Sequence, residues 1–326
     1  MKRNGESLAG TVVVITGASS GAGRAIALAL TARGARTVLA ARNREALEGL
    51  RGEIAGIGGD CLVVPTDTRE PAQQLALAEA ARSAYGRIDA WVNNAGVLAA
   101  GALEDVPAEI NEGVIRTNLL GYVHGAQAVL PLFKYQGHGI LINNISVGGW
   151  LPTPYMAAYC ASKFGLKGFS EALRGELSAY PDIHVCDLFP GFLDTPGIQH
   201  AANYTGKVLR PAPPLYDPRL VADGVVQTIL HPRRARALAI FPHLLHAAYS
   251  LFPALSRRVT GGAIRHYLKA ADSTVHTAGN VLHTVDYGNA VDGGWRAGCG
   301  TRKPPAKKIA LGALGALALL AFLGRR

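Results

Sequence analysis

The stretch that decides the fold is TVVVITGASSGAGRAIALAL, residues 11 to 30. Its aliphatic and β-branched beginning predicts a buried strand, and its alanine- and leucine-rich end predicts a helix. Between them lie Gly17, Gly21 and Gly23, spaced G-x-x-x-G-x-G. Glycines at such a turn allow the backbone to approach a pyrophosphate, and the free N–H groups of the helix N-terminus attract the anion. The stretch therefore predicts a dinucleotide-binding βα unit.

The same alternation of short apolar runs and longer helical patterns continues along the chain. Six further runs predict strands: RTVLAA (36 to 41), CLVVPTD (61 to 67), DAWVNNAG (89 to 96), GILINNIS (139 to 146), HVCDLFPG (184 to 191) and RALAIF (236 to 241). Continuous apolar strands separated by helices are typical of a parallel sheet that is buried on both faces. The fold class predicted is α/β, a doubly wound parallel sheet of Rossmann type with about seven strands and a C-terminal hydrophobic helical tail.

Three parts of the chain differ in composition. Residues 8–260 carry the βα alternation and predict one dinucleotide-binding and catalytic domain. Residues 261–302 form a C-terminal extension that is rich in Gly, Asp and Asn towards its end. Residues 303–326 combine the basic linker TRKPPAKK with an uncharged apolar run.

Composition narrows the class of protein. The 326 residues are 49% hydrophobic and carry a formal charge of +10, but no basic stripe is interleaved with aromatic residues, so we expect no nucleic-acid partner. The excess of cations suits an anionic cofactor or lipid headgroups. The four cysteines are far apart and form no C-x-x-C pair, which predicts neither a metal site nor a disulfide framework. The polar start MKRNGESLAG contains no apolar signal-peptide core, so we expect a cytoplasmic protein.

A tyrosine and a lysine stand four residues apart in YCASK, residues 159 to 163. On a helix Tyr159 and Lys163 would lie one turn apart on the same face. An ammonium close to a phenol favours the phenolate, so this spacing predicts a lowered tyrosine pKa and a group that exchanges protons near neutral pH. Taken alone, the same pattern also fits an ordinary surface helix whose lysine covers an aromatic ring.

Several motifs in a fixed order distinguish these alternatives. The chain shows TGASSGAG (16 to 23), NNAG (93 to 96), Asn118, Ser146, and Tyr159 with Lys163, followed by Pro190, Gly191 and Thr195. This order resembles the short-chain dehydrogenase/reductase family, and the resemblance covers roughly residues 8 to 242. In isolation Ser146 would fit the end of a strand, and Asn118 would fit a locally bonded polar residue of a helix.

The resemblance implies a role for each matching residue. Tyr159 would be the general acid or base at the substrate oxygen, and Ser146 would donate a hydrogen bond to that oxygen. Lys163 would lower the pKa of Tyr159 and hold the nicotinamide ribose, and Asn118 would anchor a water that links Lys163 to solvent. The implied cofactor-binding residues are Gly17, Ser19, Ser20, Gly21, Ala22, Gly23, Arg24, Arg42, Asp67, Asn94, Ala95, Gly96, Tyr159, Lys163, Pro190, Gly191 and Thr195.

The end of the second predicted strand bears on the choice of coenzyme. It reads LAARNRE, with Arg42 and no acidic residue at the strand end. An acidic residue there would bind the 2′-hydroxyl of NAD, whereas arginine accommodates the 2′-phosphate of NADP. Arg24 and Ser19 are further candidates for that phosphate. The sequence therefore favours NADP(H) over NAD(H), with solvated caps at Arg42 and Arg44 as the alternative interpretation.

The substrate side is less clearly marked. The resemblance assigns the pocket to the segment after Pro190 and Gly191, residues 192–216, whose prolines and aromatics suit a lid over an apolar compound. Candidate pocket walls are Trp150, Leu151, Tyr155 and Phe192, although core packing would account for such residues too.

The apolar run 309–324 is sixteen residues long, and as a helix it would extend about 24 Å, against about 30 Å for the hydrocarbon core of a bilayer. Flanking lysines and arginines could reach the two interfaces, so we expect membrane association on the cytoplasmic side, with a core helix or an interfacial segment as alternatives. Both flanks are basic, which leaves the orientation open.

Together the residues predict an NADP(H)-dependent oxidoreductase that transfers hydride between the nicotinamide and a carbonyl or secondary alcohol of an apolar small molecule. The alternatives are an NAD-linked alcohol dehydrogenase of the same fold and a non-catalytic dinucleotide-sensing protein. The resemblance also implies a homo-oligomer, either a dimer or a tetramer.

Overall fold

A seven-stranded parallel sheet forms the centre of the molecule in the computed structural model, which describes residues 7–296. Its strands are β1 (Val12–Thr16), β2 (Arg36–Ala41), β3 (Cys61–Pro65), β4 (Ala90–Asn93), β6 (Gly139–Asn144), β7 (Ile183–Phe189) and β9 (Ala235–Ala237), in the order β3-β2-β1-β4-β6-β7-β9. Two short strands, β5 (Ala99–Ala100) and β8 (Ala202–Asn203), pair separately and were not predicted. The predicted α/β fold, a doubly wound parallel sheet of Rossmann type with seven strands, is confirmed.

Helices cover both faces of this sheet. Among the described residues they are α1 (Gly21–Thr31), α2 (Arg44–Gly56), α3 (Pro71–Tyr85), α4 (Ala108–Ile115), α5 (Gly121–Gln136), α6 (Ala157–Glu176), α7 (Arg219–Leu230), α8 (Ile240–Leu251) and α9 (Pro253–Ala270). Apolar residues of α1, α2 and α7 pack on one face, and those of α3, α5 and α6 pack on the other. The strands are therefore buried from both sides, which accounts for their continuous apolar sequences.

The strand order places the site. β1 pairs with β2 on one side and with β4 on the other, so the direction of winding reverses at β1. In open parallel sheets a crevice forms at the carboxyl ends of the strands at such a reversal, and ligands bind there. The glycine turn after β1 and the NNAG motif after β4 meet at this crevice.

The last predicted strand and one domain boundary need correction. The run RALAIF was predicted as a strand over residues 236–241, but β9 ends at Ala237 and α8 begins at Ile240. Pro242 explains the difference, because proline has no N–H for a strand ladder but fits the first turn of a helix. The boundary predicted at residue 260 falls inside α9. The predicted tail, residues 303–326, lies outside the described residues.

Residues 272–296, which we call the strap, follow α9 and run back over the carboxyl ends of the strands. Thr277, early in the strap, forms an antiparallel bridge with Asn203 of β8. Val281 is fully buried and packs among Val97, Ile110 and Ala202. The strap is therefore an integral part of the domain. No helix within residues 7–296 has both the length and the apolar character needed to cross a membrane.

Candidate active site

The glycine turn and the residues Ser146, Tyr159 and Lys163 line one cavity of about 870 Å³. The turn is tight because a Cβ on Gly23 would overlap the carbonyl oxygen of Gly17, and Gly17 itself has a φ of 66°. A Cβ on Gly17 would lie 2.7 Å from the Cα of Ala95, in the loop after β4. Only glycine fits at these two positions, so the two glycines determine the shape of this wall.

A chain of side-chain hydrogen bonds joins the ends of three strands beneath the cavity. Asn94 donates from its Nδ2 to the carbonyl oxygens of Thr16 and Gly17, at 3.1 and 3.2 Å. Asn144 in turn donates to the Oδ1 of Asn94 at 2.9 Å. These bonds hold the ends of β1, β4 and β6 in register, which keeps the cofactor wall and the catalytic wall at a fixed separation.

Tyr159 lies in the first turn of α6 and faces Ser146, which follows the last residue of β6 by two positions. The Ser146 hydroxyl lies close enough to the phenol of Tyr159 to influence its pKa, and it accepts from the backbone N–H of Gly148 at 3.2 Å. Ser146 has a φ of 113°, a strained conformation for a residue with a side chain. A Cβ on Gly148 would lie 2.8 Å from the Tyr159 ring, so glycine makes room for the ring.

Lys163 is 4% exposed and is held from the opposite side by two groups that the sequence did not mark. Its Nζ donates to the carbonyl oxygen of Asn144 at 3.2 Å and to the hydroxyl of Tyr122 at 3.5 Å. The Tyr122 hydroxyl also donates to the Asn144 carbonyl at 3.0 Å. The ammonium lies 5.0 Å from the ring centroid of Tyr122 and 5.9 Å from that of Tyr159, within reach of a cation–π attraction to both.

Burial dominates the proton affinities of this pair. It raises the pKa of Tyr159 to about 12, although the neighbouring Ser146 hydroxyl acts in the opposite direction. It lowers the pKa of Lys163 to about 7. The sequence predicted a lowered pKa for Tyr159, and the structure differs. Removing the phenolate from water destabilises it by more than the neighbouring groups stabilise it, so the pKa rises. At neutral pH Tyr159 is therefore protonated and able to donate a proton.

Asn118 lies outside the cavity lining. It is fully buried in a π-helical turn, Arg116–Leu120, between α4 and α5. Its side chain accepts from the N–H of Val97 at 2.8 Å and donates to the carbonyl oxygen of Val97 at 2.9 Å. Asn118 thus fixes the loop after the NNAG motif, and its role as a water anchor stays a prediction.

At the end of β2, Arg42 lines the cavity but already binds the strap. Its guanidinium donates to the carbonyl oxygens of Asn280, at 2.5 Å, and of Val281 and Leu282, both at 3.3 Å. A guanidinium has five N–H donors, so these bonds orient Arg42 and leave donors for a further anion. Burial lowers the pKa of Arg42, and the nearby Arg69 acts in the same direction.

Asp67 also lines the cavity, paired with an arginine that no sequence motif marks. Arg69 donates from its Nε to both carboxylate oxygens of Asp67 at 3.0 Å. Burial alone would raise the pKa of Asp67, but the hydrogen bonds and charge of Arg69 hold it below its ordinary value.

Arg24 is a correction to the predicted cofactor-binding set. Its guanidinium pairs with Glu53 of α2 at 2.7 Å and also bonds the carbonyl oxygens of Ser19 and Ala46. Arg24 is 7% exposed and does not line the cavity. It joins α1 to α2, so a phosphate in the cavity would not meet it.

The other predicted cofactor-binding residues do line the cavity. They are Gly17, Ser19, Ser20, Gly21, Ala22, Gly23, Arg42, Asp67, Asn94, Ala95, Gly96, Tyr159, Lys163, Pro190, Gly191 and Thr195, together with the catalytic candidate Ser146. The sequence missed the strap residues Asn280, Thr284, Val285 and Asn289. No motif marks them, because their position depends on how the chain returns after α9.

The substrate end of the cavity is apolar and has two walls. Leu151, Tyr155 and Phe192 line it, as do several residues of the predicted lid segment 192–216. The second wall, which the sequence did not predict, comes from α8 and α9 and includes Leu245 and Ile264. Trp150 is a correction, because it stacks on Phe189 at 3.9 Å in the core, outside the cavity lining.

The residues present fit a nicotinamide dinucleotide. The buried Oγ1 of Thr117 and the buried Oδ1 atoms of Asn144 and Asn280 have no hydrogen-bond partner within residues 7–296, and all three residues line the cavity. Buried polar atoms without partners are costly, so a polar ligand would satisfy them. Across the same residues, no group of three or more His, Cys, Asp or Glu side chains is placed to hold a metal ion.

Comparison with known proteins identifies the family. The short chain dehydrogenase family model matches residues 11–204. The chain is 34% identical to an uncharacterized oxidoreductase, YxnA, of Bacillus subtilis over 284 residues, which cover 83% of this chain and 79% of that protein. It belongs to the short-chain dehydrogenase/reductase family of oxidoreductases.

Two solved structures share the fold and contain a nicotinamide coenzyme. A metagenomic short-chain oxidoreductase in complex with NADP is 30% identical, with a TM-score of 0.61, and covers 71% of this chain and 98% of its own. A variant of actinorhodin polyketide ketoreductase with NADPH is 29% identical, with a TM-score of 0.64, and covers 70% of this chain and 95% of its own.

Proposed function

We propose that the protein is an NADP(H)-dependent oxidoreductase that interconverts a carbonyl and a secondary alcohol on an apolar small molecule. One observation carries this proposal. The Tyr159 phenol, the Ser146 hydroxyl and the Lys163 ammonium line the same cavity as the glycine turn of residues 17–23. A proton donor, a hydrogen-bond donor and a dinucleotide-binding wall therefore meet in one place.

The residues of this chain supply proton transfer and orientation, and the coenzyme, when bound, supplies or accepts the hydride. Tyr159 is protonated at neutral pH and donates its proton to the substrate oxygen during reduction. The Ser146 hydroxyl lies beside the phenol in the same cavity, so a substrate oxygen placed between the two hydroxyls receives a second donor. Lys163, held by Asn144 and Tyr122, supplies a cation that stabilises the phenolate left on Tyr159 when its proton is transferred.

For the coenzyme we propose NADP(H) rather than NAD(H). Arg42 offers a fixed cation at the end of β2, and the carboxylate of Asp67 is occupied by Arg69. A carboxylate committed to an arginine is a poor acceptor for the 2′-hydroxyl of NAD, whereas a guanidinium suits a phosphate. The NADP and NADPH bound in the two structural relatives support the same choice.

For the substrate we propose a fairly large apolar molecule. The wall formed by Leu151, Phe192, Leu245 and Ile264 offers aliphatic and aromatic surface, which binds hydrocarbon better than hydroxylated compounds. An apolar ketone, such as a ketosteroid or a long acyl ketone, should therefore react better than a sugar.

The test is NADPH consumption by the purified protein with a panel of apolar ketones and sugars, for the natural chain and for Tyr159→Phe. We expect turnover of an apolar ketone, and a loss of about 100-fold or more in Tyr159→Phe, because general acid catalysis contributes about that much. The Kd for NADPH should change less than about threefold, since the ring remains.

Tyr204→Phe is the matched control, because Tyr204 packs near β5 and does not line the cavity. It should keep the natural rate. Equal turnover in Tyr159→Phe and the natural protein would reject the mechanism. NADPH binding without turnover of any compound in the panel would favour the alternative of a dinucleotide-sensing protein.

We also propose that the protein acts at the cytoplasmic face of a membrane, as a homo-oligomer. The apolar run 309–324 behind a basic linker supports the first part. The second part rests on membership of the family.

A further inference from the structure

The strap crosses the whole mouth of the coenzyme cleft. At the adenosine end its carbonyl oxygens accept from Arg42 and Arg69. In the middle, the carbonyl oxygen of Ala290 accepts from the N–H of Gly21 at 2.9 Å, at the start of α1. Near its end, the ring N–H of Trp295 donates to the carbonyl oxygen of Thr195 at 3.1 Å. The strap therefore passes from the end of β2, across the glycine turn, to the segment after Pro190 and Gly191.

The strap is fastened most tightly at its end, on one buried carboxylate. The Asp194 side chain is 3% exposed and accepts from the backbone N–H groups of Trp295, at 2.8 Å, and Arg296, at 3.1 Å. The Nε of Arg296 donates to the same carboxylate at 2.9 Å. Three donors from the strap thus converge on Asp194, next to Thr195.

Arg296 is held in turn by two more carboxylates. Its guanidinium bonds Asp217 at 3.0 Å and Asp292 at 2.9 Å. Arg219, at the start of α7, bonds the same two carboxylates but is not among the partners of Asp194. Arg219 therefore also ties the strap to α7 through Asp292, but the Arg296 guanidinium is the cation of this network that joins the strap to Asp194.

The middle of the strap is held less firmly than its end. Val281 is fully buried and anchors the first half. Between Val285 and Ala290 the contacts are few. Asn43 donates to the carbonyl oxygen of Val285 at 3.4 Å, and Gly21 donates to that of Ala290. Tyr287 meets the His200 ring and donates from its hydroxyl to the carbonyl oxygen of Gln199 at 3.2 Å. A segment with few buried apolar contacts opens at low cost once its end is released.

We propose that the strap closes over the bound coenzyme and must open for it to enter or leave, with Arg296 on Asp194 as the clasp that holds the strap shut. The proposal rests on the proposed function, because it takes the dinucleotide to be the molecule enclosed. Asn280, Thr284 and Asn289 then form the outer wall of the coenzyme site. Arg296 is a positioning residue that acts through the strap.

The clasp consists of bonds within the chain itself, so loosening it should accelerate both directions of exchange. In Arg296→Ala we expect association and dissociation of NADPH each to become about tenfold faster or more, since hydrogen bonds to charged groups are removed. The Kd should change much less than either rate. Stopped-flow NADPH fluorescence measures both rates.

Two further variants test whether the effect of Arg296→Ala comes from its contact with Asp194. Arg296→Lys keeps a cation near Asp194 and should restore part of the slow exchange. Arg219→Ala removes a solvent-exposed pair between α7 and Asp292 of the strap but leaves the clasp on Asp194, so its rates should stay within about twofold of the natural protein. An equal acceleration in Arg219→Ala would overturn the assignment of the clasp to Asp194.

Hydrogen exchange gives a second readout that needs no coenzyme. Amides of residues 285–296 should exchange faster in Arg296→Ala than in the natural chain, while amides of β1 and β4 should not change. Faster exchange throughout the sheet would identify general unfolding and overturn the local role of the clasp.

The failures of the two proposals are distinguishable. If the natural protein binds NADPH and Arg296→Ala exchanges it at the natural rate, the strap proposal fails and the proposed function stands. If only dissociation accelerates, the strap is a binding contact and not a gate, which also overturns the proposal. If the folded natural protein binds no nicotinamide dinucleotide, both proposals fail.

Discussion

Burying the Lys163 ammonium costs free energy, and this cost appears as a lowered pKa of the side chain. The side chain binds a proton in the unfolded chain up to a pH of about 10.5, but in the folded protein its pKa is lowered to about 7. Between these values the unfolded chain carries more protons, so the free energy of unfolding rises with pH. Below pH 7 the full cost of burying the cation is present. A purely structural position would not keep a lysine under this penalty, whereas a site that needs a cation beside Tyr159 does.

Replacing this lysine should therefore change stability in a pH-dependent way. The gain in the free energy of unfolding for Lys163→Met should be largest at about pH 6.5 and should shrink towards about pH 9.5, by up to about 1.4 kcal/mol per unit. Urea unfolding at several pH values measures it. Lys167→Met provides the reference for the same substitution one turn along α6. A difference between Lys163→Met and the natural protein that is constant with pH would contradict the expectation.

Arg42 decides between the two coenzymes in our proposal. Arg42→Ala should weaken NADPH binding about tenfold to 100-fold relative to NADH, because a hydrogen bond to a charged phosphate is removed. The ratio of the two Kd values is the quantity to measure, since the bonds between Arg42 and the strap affect both coenzymes alike. Arg44→Ala is the control, because Arg44 lies at the start of α2 and outside the cavity lining. An unchanged ratio in Arg42→Ala would argue against NADP specificity through this residue.

At the scale of elements, α6 delivers two functional groups to the cavity. It starts at Ala157, so Tyr159 and Lys163 lie within its first two turns, where the side chains reach back towards the ends of β4 and β6. The sequence predicted this geometry because i and i+4 share a face on any helix. It did not reveal Tyr122 of α5, which meets Lys163 only because α5 and α6 pack on the same side of the sheet.

The hairpin of α8 and α9 is an element whose role the sequence did not predict. Its sequence is apolar with basic residues, a pattern that fits a core helix, an interfacial helix or a pocket wall equally well. Only the packed structure shows that Leu245, Ile264 and their neighbours line the substrate end of the cavity. Elsewhere on α8, Ile240 and Leu251 are 77% and 72% exposed. Periodicity identifies an apolar face but does not say what covers it.

At the scale of the whole molecule, the apolar tail is the part of the chain whose role is still to be tested. Deleting residues 303–326 should move the protein from the membrane fraction to the soluble fraction while leaving NADPH turnover in detergent unchanged. Cell fractionation measures the first effect and the ketone assay the second.

A single substitution within the apolar run tests the same prediction without removing any residues. Leu317→Asp should also weaken membrane association, because an acidic residue within an apolar span costs about 2.5 to 3.5 kcal/mol. If the fraction of protein on membranes is the same for the deletion and the natural chain, the anchor idea is rejected.

Local sequence was enough to predict the sheet, the glycine turn and the placement of Tyr159 and Lys163 on one face of a helix. Each depends on neighbours in the chain: apolar runs for β1 to β4, β6 and β7, the absence of Cβ atoms at Gly17 and Gly23, and the helical spacing of Tyr159 and Lys163. A prediction of this kind was wrong where a residue had a competing partner, as Arg24 has in Glu53.

Packing in three dimensions set the surroundings of those residues. It brought Tyr122 to Lys163, α8 and α9 to the substrate end, and Arg296 to Asp194 across a separation of 102 residues. It also reversed the expected direction of the Tyr159 pKa. Most of these contacts join residues that are distant in the chain, and burial depends on everything packed around a group, so neither leaves a local pattern in the sequence.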